Sequence, residues 1–278
     1  MSQLKDQVVL ITGCSTGIGR ALAAEFARCG HQTFATARRI ESLAGLTDCM
    51  PLQLDVTDPE SIRDAVSQVV DRTGRIDILV NNAGINLFGP LVEVPLEGVK
   101  QLFGTNVIGL VAATQAVFPQ MAEQRSGRIV NLGSVVGDFP TPFAGAYCGT
   151  KSAVHMLSEI LRLEVAPFGI DVVVVQPGGV RSQIATSGSV GMERYAEQSS
   201  RYHKVYDNIV QRANMSQDSP MEAEDFARVV VAAVTRQTPP RVVRAGSGAA
   251  LLSLARRLPE PLLDRILTRR FGLAALAE

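Results

Sequence analysis

The sequence has little of what would mark a metalloprotein, a disulfide-stapled protein or a nucleic-acid-binding protein. It contains no tryptophan, three histidines and four cysteines, and its 27 basic and 27 acidic side chains leave a formal net charge of zero. The cysteines show no CxxC spacing and no neighbouring His pair, so we expect neither a metal site nor a disulfide framework. Balanced charge gives no reason to expect a nucleic-acid partner.

Long apolar runs, repeats and low-complexity linkers are also missing. The polar first residues pass directly into a short apolar run, so no signal peptide is predicted, and no stretch is expected to span a bilayer. Together with free thiols, this favours a cytoplasmic location. The simplest organisation is one domain over residues 1–278, with 46% hydrophobic residues to fill its core.

What the sequence does contain is a regular alternation of apolar runs and amphipathic segments. Predicted strands cover Val8–Ile11, Gln32–Ala37, Met50–Leu54, Ile76–Val80, Gly127–Leu132 and Ile170–Val175. Predicted helices cover Ala21–Arg28, Pro59–Arg72 with Asp58 as N-cap, about Leu96–Glu123, and Tyr147–Val165. This pattern predicts an α/β fold, a single-domain Rossmann-type doubly wound parallel sheet with helices on both faces.

Two regions break the alternation. Residues 181–219 are polar and carry three tyrosines, which suggests a mobile lid over a substrate; a permanently ordered surface excursion is the alternative. Residues 248–278 form an amphipathic extension, in which Leu262, Leu263, Ile266, Leu267 and Phe271 share one helical face. That face has three possible partners: its own domain, a second subunit or, less favoured, a membrane surface.

A glycine-rich turn follows the first predicted strand and opens a helix. Glycines at such a turn let the backbone approach a pyrophosphate, which also meets the free N–H groups of the helix N-terminus. An ordinary strand-to-helix turn is the alternative. The candidate cofactor-binding residues here are Gly13, Ser15, Thr16, Gly17, Ile18 and Gly19.

The end of the second predicted strand indicates which cofactor is preferred. Proteins that prefer NAD place an acidic side chain here, whereas this chain has Arg38 and Arg39 and no acid before Glu41. Arginine forms charge-assisted hydrogen bonds to phosphate, so we predict NADP(H) as the cofactor. The alternative is two solvated surface arginines.

Two further turns extend this candidate site. Asp55 and Val56 follow the third strand, where a carboxylate and a backbone N–H can meet an adenine; alternatively, Asp55 only caps a local turn. The fourth strand leads into Asn82, Ala83 and Gly84, whose small side chains permit close packing beside a nucleotide, although a plain turn would look the same.

A second group of residues suggests acid–base chemistry. Tyr147 and Lys151 lie four residues apart on one helical face, where the lysine ammonium would lower the pKa of the phenol. Ser134 ends the fifth strand and could hold a substrate oxygen, and Asn106 could kink the long helix and anchor a water leading to Lys151. Each residue alone is common enough to occur by chance.

Taken in order, these motifs resemble the short-chain dehydrogenase/reductase family, most closely its 17β-hydroxysteroid dehydrogenase-like and retinol dehydrogenase-like branch. They are TGCSTGIG from Thr12, NNAG from Asn81, Asn106, Ser134, YCGTK from Tyr147, and Pro177-Gly178. The resemblance implies Tyr147 as catalytic acid/base, Lys151 as ribose ligand, Ser134 as carbonyl-orienting group and Asn106 in a proton relay. It also implies nicotinamide contacts by Pro177, Gly178, Val180 and Ser182.

The sequence therefore predicts an oxidoreductase that transfers a hydride between NADP(H) and a secondary alcohol, ketone or aldehyde. Apolar and aromatic residues between Val135 and Ala146 suggest an apolar substrate such as a steroid, a long-chain ketone or an aromatic ketone, although ordinary core or a subunit contact would look the same. An NADP(H)-sensing regulator and a non-redox enzyme on the same fold are the alternatives. We expect a homodimer or homotetramer.

Overall fold

The computed structural model describes residues 4–277, including the side chains of all of them except residues 185, 186 and 253. The strands are β1 Val8–Ile11, β2 Gln32–Ala37, β3 Met50–Gln53, β4 Ile78–Asn81, β5 Gly127–Leu132, β6 Ile170–Pro177 and β7 Val242–Ala245. The helices are α1 Gly17–Arg28, α2 Pro59–Thr73, α3 Leu96–Phe103, α4 Gly109–Gln124, α5 Gly145–Val165, α6 Ile184–Gly188, α7 Tyr206–Asn214, α8 Ala223–Val234, α9 Ala249–Ala255 and α10 Glu260–Arg270.

All seven strands pair in parallel in one sheet, in the order β3-β2-β1-β4-β5-β6-β7. The order reverses direction at β1, where β2 lies on one side and β4 on the other. In an open parallel sheet this reversal leaves a crevice at the carboxyl ends of the strands, which is where ligands bind. The predicted doubly wound fold is confirmed.

The sheet is buried on both faces because its strands carry apolar side chains at successive positions. On one face Val9 and Ile11 pack with α1 and α8, and on the other Val8 and Leu10 pack with α2 and α4. This explains the continuous apolar run of β1, since a strand covered on both sides gains nothing from polar alternation. Asp58 caps α2 as predicted, accepting from the Glu60 N–H at 2.9 Å.

A third apolar cluster lies outside these two layers and is built mainly by the two irregular regions. Tyr195 and Ile209 from residues 181–219 pack with Leu263, Leu267 and Phe271 from the C-terminal extension. The extension therefore packs on its own domain, the first of its three possible partners. The buried part of the apolar face of the C-terminal extension is narrower than predicted, because Leu262 and Ile266 are 46% and 43% exposed.

The predicted single helix from Leu96 to Glu123 is interrupted. Residues Gly104–Ile108 form a turn of π-helix between α3 and α4, and such turns often mark functional sites. The whole stretch Leu96–Gln124 is, by length and composition, apolar enough to cross a membrane, which corrects the expectation that no stretch is. We assign it as a core helix, because Ala113, Val117 and Met121 are buried against the sheet.

Candidate active site

One cleft of about 1750 Å³ opens at the carboxyl ends of the strands. The predicted cofactor-binding residues and three of the four predicted catalytic residues line it: Gly13, Ser15, Thr16, Gly17, Ile18, Gly19, Arg38, Arg39, Asp55, Val56, Asn82, Ala83, Gly84, Ser134, Tyr147, Lys151, Pro177, Gly178, Val180 and Ser182. Asn106 is buried behind the wall of the cleft. Residues from seven separate stretches of chain thus meet in one place, while their roles in turnover remain predictions.

The glycine-rich turn leaves the start of α1 free for a ligand. Thr16 occupies the N-cap position without a side-chain cap, and no acidic side chain lies in the first turn. The backbone N–H groups at this end therefore lack the usual intramolecular acceptor, which is the arrangement that binds phosphate. Gly13 has φ +74°, and a Cβ there would stand 2.8 Å from the Ala83 Cα, so only glycine fits this close approach.

The two arginines after β2 lie on the rim of the same cleft. Arg38 and Arg39 are exposed, and neither forms an ion pair with any other side chain in residues 4–277. Their guanidinium groups are therefore available to a phosphate on the adjacent ribose. A nucleotide with a 2′-phosphate fits this donor set, since no carboxylate stands where one would repel that phosphate.

Local hydrogen bonds fix the turns after β3 and β4. The Asp55 carboxylate accepts from the Thr57 N–H at 2.9 Å and from the Thr57 hydroxyl at 2.7 Å, so it does shape the local turn. The Asn82 amide donates to the carbonyl oxygens of Thr12 and Gly13, both at 2.9 Å. Asn82 thereby joins the β4 turn to the glycine-rich turn, and both hold the wall against which a nucleotide would lie.

The segment after β6 covers the glycine-rich turn from the other side. Pro177 and Gly178 line the cleft, and a Cβ on Gly17 would stand 3.0 Å from the Ser182 Cβ. The backbone of Gly178 donates to the Ala245 carbonyl at 2.8 Å, which anchors this segment on β7. The nicotinamide end of a cofactor would therefore enter between two fixed pieces of backbone.

Tyr147 and Lys151 stand on the first turns of α5 and face the end of β5. The Lys151 Nζ donates to the Leu132 carbonyl at 2.7 Å and lies 5.6 Å from the centre of the Tyr147 ring. Ser134 lines the cleft beside both of them. A hydroxyl, a phenol and an ammonium thus converge at one edge of the cleft.

Burial controls the protonation of this group. It raises the pKa of Tyr147 to about 12 and lowers the pKa of Lys151 to about 8, because the surrounding protein disfavours both charged forms. This differs from the expectation that Lys151 lowers the Tyr147 pKa, because loss of solvation is the largest cause of the shift and raises that pKa. At neutral pH the phenol carries its proton and can donate it.

Asn106 lies in the π-helical turn. Its Oδ1 accepts from the Ile85 N–H at 2.8 Å, and its Nδ2 donates to the Ile85 carbonyl at 3.0 Å and to the Thr150 hydroxyl at 3.2 Å. Asn106 thus contacts Thr150, the chain neighbour of Lys151. The proton relay stays a prediction.

Sequence reasoning missed a second group that holds Ser134 in place. The His155 Nε2 accepts from the Ser134 backbone N–H at 3.3 Å, and its Nδ1 lies 2.9 Å from an Asp138 oxygen. Gln176 donates to the other Asp138 oxygen at 2.9 Å. His155 lies one helical turn after Lys151. Nothing in the sequence signals its contact with Ser134, because that contact depends on the packing of α5 against the end of β5.

The rest of the cleft is mostly apolar. Phe88, Phe139, Leu263, Leu267 and Phe271 line it and also belong to the third apolar cluster. This half of the cleft comes from residues 181–219, from the C-terminal extension and from loops after β4 and β5. It can accommodate an apolar ligand next to Tyr147.

Several curated proteins are similar in sequence to most of this chain. NADPH-dependent 1-acyldihydroxyacetone phosphate reductase of Schizosaccharomyces pombe is 34% identical over 226 residues, covering 80% of this chain and 76% of that protein. Human 17-beta-hydroxysteroid dehydrogenase type 1 is 33% identical over 248 residues, covering 84% and 75%. Against three other curated relatives the matched part spans 64–65% of their length, which is under two thirds.

Solved structures match nearly the whole chain. A short-chain dehydrogenase from Streptomyces avermitilis superposes with a TM-score of 0.78 at 31% identity, covering 99% of this chain and 98% of that one. A Burkholderia phymatum member in complex with NAD gives 0.79 at 26% identity, covering 96% and 97%. A serine dehydrogenase with NADP⁺ gives 0.73 at 27% identity, covering 86% and 94%.

The family model for short chain dehydrogenase matches residues 7–191, the stretch that contains β1 to β6, the glycine-rich turn, Ser134, Tyr147 and Lys151. With that match and these relatives, the chain belongs to the short-chain dehydrogenase/reductase family.

Proposed function

We propose that this protein is an NADP(H)-dependent oxidoreductase that interconverts a secondary alcohol and a ketone, or an aldehyde and its alcohol. The observation that carries the proposal is the convergence of Ser134, Tyr147 and Lys151 on one cleft with a free helix N-terminus at its other end. The NADPH named in the S. pombe relative supports NADP(H). The NAD complex of the Burkholderia structure shows that family members differ in this choice.

The cofactor would be held along the cleft by groups already in position. The α1 N-terminus would bind the pyrophosphate, Arg38 and Arg39 the 2′-phosphate, Asp55 and Val56 the adenine, and Lys151 the nicotinamide ribose. Pro177 to Val180 would contact the nicotinamide carboxamide. When bound, the nicotinamide supplies or accepts the hydride.

The chain's own residues would manage the proton. In reduction, the Tyr147 phenol donates its proton to the carbonyl oxygen as negative charge develops there, and its raised pKa keeps that proton available at neutral pH. The Ser134 hydroxyl would hold the same oxygen, in a direction fixed by the bond between its backbone and His155. Lys151 would support the phenolate that remains.

A turnover assay tests this function. We expect NADPH absorbance to fall when the protein meets a panel of steroid, long-chain and aromatic ketones, and NADP⁺ to be reduced by the matching alcohols. A protein that binds NADPH yet reduces nothing, while Tyr147→Phe leaves every property unchanged, would instead favour the NADP(H)-sensing alternative.

We also propose that residues 181–219 act as a lid. They contribute Ser182, Gln183, Ile184, Ser187 and Arg212 to the lining of the cleft, so their position controls access to it. Hydrogen exchange should slow in this segment when cofactor and substrate bind, by more than in α2, which lies away from the cleft. Equal protection in both states would count against a lid.

A second copy of this chain is the partner we propose, in the cytoplasm. Met156, Ile160 and Leu163 lie at i, i+4 and i+7 on α5 and are 63%, 46% and 63% exposed. A stripe of this kind on one helix can pack against the same stripe of a symmetry mate. Sedimentation should show a homodimer or homotetramer that Ile160→Glu dissociates; a monomeric parent would contradict it.

A further inference from the structure

Among the described residues 4–277, two arginines are buried, and one of the two has its charge compensated. Arg128, 4% exposed, pairs with Asp171 at 2.7 Å and donates to the carbonyl oxygens of Val234 and Arg236. Arg212 of α7 is 6% exposed. Within residues 4–277 its guanidinium has no ion pair, and its Nε has no hydrogen-bond partner. A buried cation without an acceptor is costly, so it needs a reason.

The surroundings of Arg212 show where its acceptor would come from. The guanidinium carbon lies 5.4 Å from the centre of the Phe88 ring, a cation–π contact that holds the side chain but gives it no anion. Its ionisable neighbours, Cys148 and Tyr147, are both neutral at pH 7 because burial raises their pKa values. Arg212 lines the cleft together with Phe88 and Tyr147. The open direction for its donors is therefore the cleft.

We propose that Arg212 binds an anionic group of the substrate, so that this cleft takes amphiphilic ketones or alcohols that carry a carboxylate or a phosphate near the reacting carbon. The planar guanidinium matches both anions with paired donors. The apolar wall formed by Phe139, Leu263 and Leu267 takes the remainder of the molecule. This rests on the proposed function for the reaction, while the anion site itself stands on Arg212.

The position of Arg212 also assigns an orientation to the substrate. Arg212 and Tyr147 line the same cleft and interact electrostatically, so the anion would lie beside the carbonyl rather than at the far end of an apolar chain. A neutral steroid would leave Arg212 uncompensated and should be a poorer substrate than a keto acid or a ketone phosphate of similar size.

Dead-end ligands test the anion site without turnover. Calorimetry on the NADP⁺-loaded protein compares octanoate, octyl phosphate and octanamide, which share one chain and cannot be reduced. We expect at least one anion to bind about tenfold or more tightly than octanamide, as a charge-assisted bond to arginine would give. The two anions distinguish a carboxylate site from a phosphate site.

Three variants complete the experiment. Arg212→Met should abolish the anion preference, Arg212→Lys should keep part of it, and Arg201→Met, an exposed arginine of the same segment, should keep all of it. Arg212→Met should also melt no lower than the parent, because it removes an uncompensated buried charge. If Arg212 instead stabilised the fold, Arg212→Met would have a lower melting temperature than the parent.

Equal binding of octanamide and both anions to the parent, or an anion preference that survives in Arg212→Met, would overturn the proposal. These outcomes are separable from the proposed function. Neutral ketones reduced without any anion preference would leave the function standing and remove the anion site. An Arg212-dependent anion preference without any ketone reduction would do the reverse.

Discussion

The two sides of the cleft are built in different ways. The cofactor side consists of short turns directly after β1, β2, β3 and β4, so the sheet itself sets the position of each group. The substrate side comes largely from residues 181–219 and from the C-terminal extension, which meet each other in the third apolar cluster. One side depends on parallel strand pairing, and the other on packing between distant segments. The first should therefore tolerate changes that disturb the second.

The largest effect should come from Phe271→Ala. Phe271 is 2% exposed, and its ring stands edge-on to Phe143 with 6.1 Å between centroids. Truncating a buried aromatic ring costs about 3–5 kcal/mol of unfolding free energy, which urea denaturation would measure. The control Leu262→Ala, on an exposed position of α10, should cost about 0.5 kcal/mol or less. NADPH affinity should change less than ketone affinity, and equal losses would contradict the separation of the two sides.

The Tyr147 hydroxyl lies where the cofactor side and the substrate side meet, and its removal tests whether it is the proton donor. Tyr147→Phe should lower kcat by about 100-fold or more, the usual loss for a general acid, and should leave the NADPH dissociation constant nearly unchanged. Tyr202→Phe is the matched control, because it removes a hydroxyl from the substrate side away from Lys151. Near-parental turnover by Tyr147→Phe would show that the proton comes from another group.

The cofactor side alone should respond to Arg38→Ala. Losing a charge-assisted bond to the 2′-phosphate should reduce kcat/KM for NADPH by at least about tenfold, or about 1.4 kcal/mol, with little change for NADH. Arg63→Ala, an exposed arginine on α2, controls for loss of surface charge. If Arg38→Ala kept the parental preference for NADPH over NADH, or if the parent used both cofactors equally, these arginines would not bind the 2′-phosphate.

The smallest effect concerns pH. With the pKa of Tyr147 raised to about 12, its protonated form dominates throughout the physiological range, so kcat/KM for ketone reduction should not increase between pH 6 and 8. Above the Lys151 pKa of about 8 the ammonium is lost, and reduction should decline. Alcohol oxidation needs the phenolate and should rise with pH. Reduction that rises from pH 7 to 9 would be inconsistent with these ionisations.

The strands and turns of the cofactor side could be predicted from the sequence because local patterns determine them. A strand covered on both faces, a glycine-rich turn and a helix start all lie within the stretch from Val8 to Arg28. Tyr147 and Lys151 also share a face of one helix, which needs no tertiary knowledge. In each case the separation of the residues in sequence already determines how they lie relative to one another in the structure.

The substrate side was predicted less completely because long-range packing builds it. The π-helical turn around Asn106 breaks a helix that the apolar pattern shows as continuous, and β7 and α8, which lie outside the substrate side, were also not predicted. Arg212 had no distinguishing neighbours in a polar segment, and only its burial against Phe88 sets it apart. His155 likewise gained meaning when β5 placed Ser134 beside it.

The central claim is that a hydride crosses from the cofactor side to a substrate carbon on the other side. NADPH deuterated at the transferable position of its nicotinamide, incubated with the parent protein and a panel of neutral and anionic ketones, tests it directly by mass spectrometry. The account predicts one deuterium on the new carbinol carbon of the alcohol, and a loss of this product in Tyr147→Phe. Consumption of NADPH that leaves every alcohol product unlabelled would contradict it.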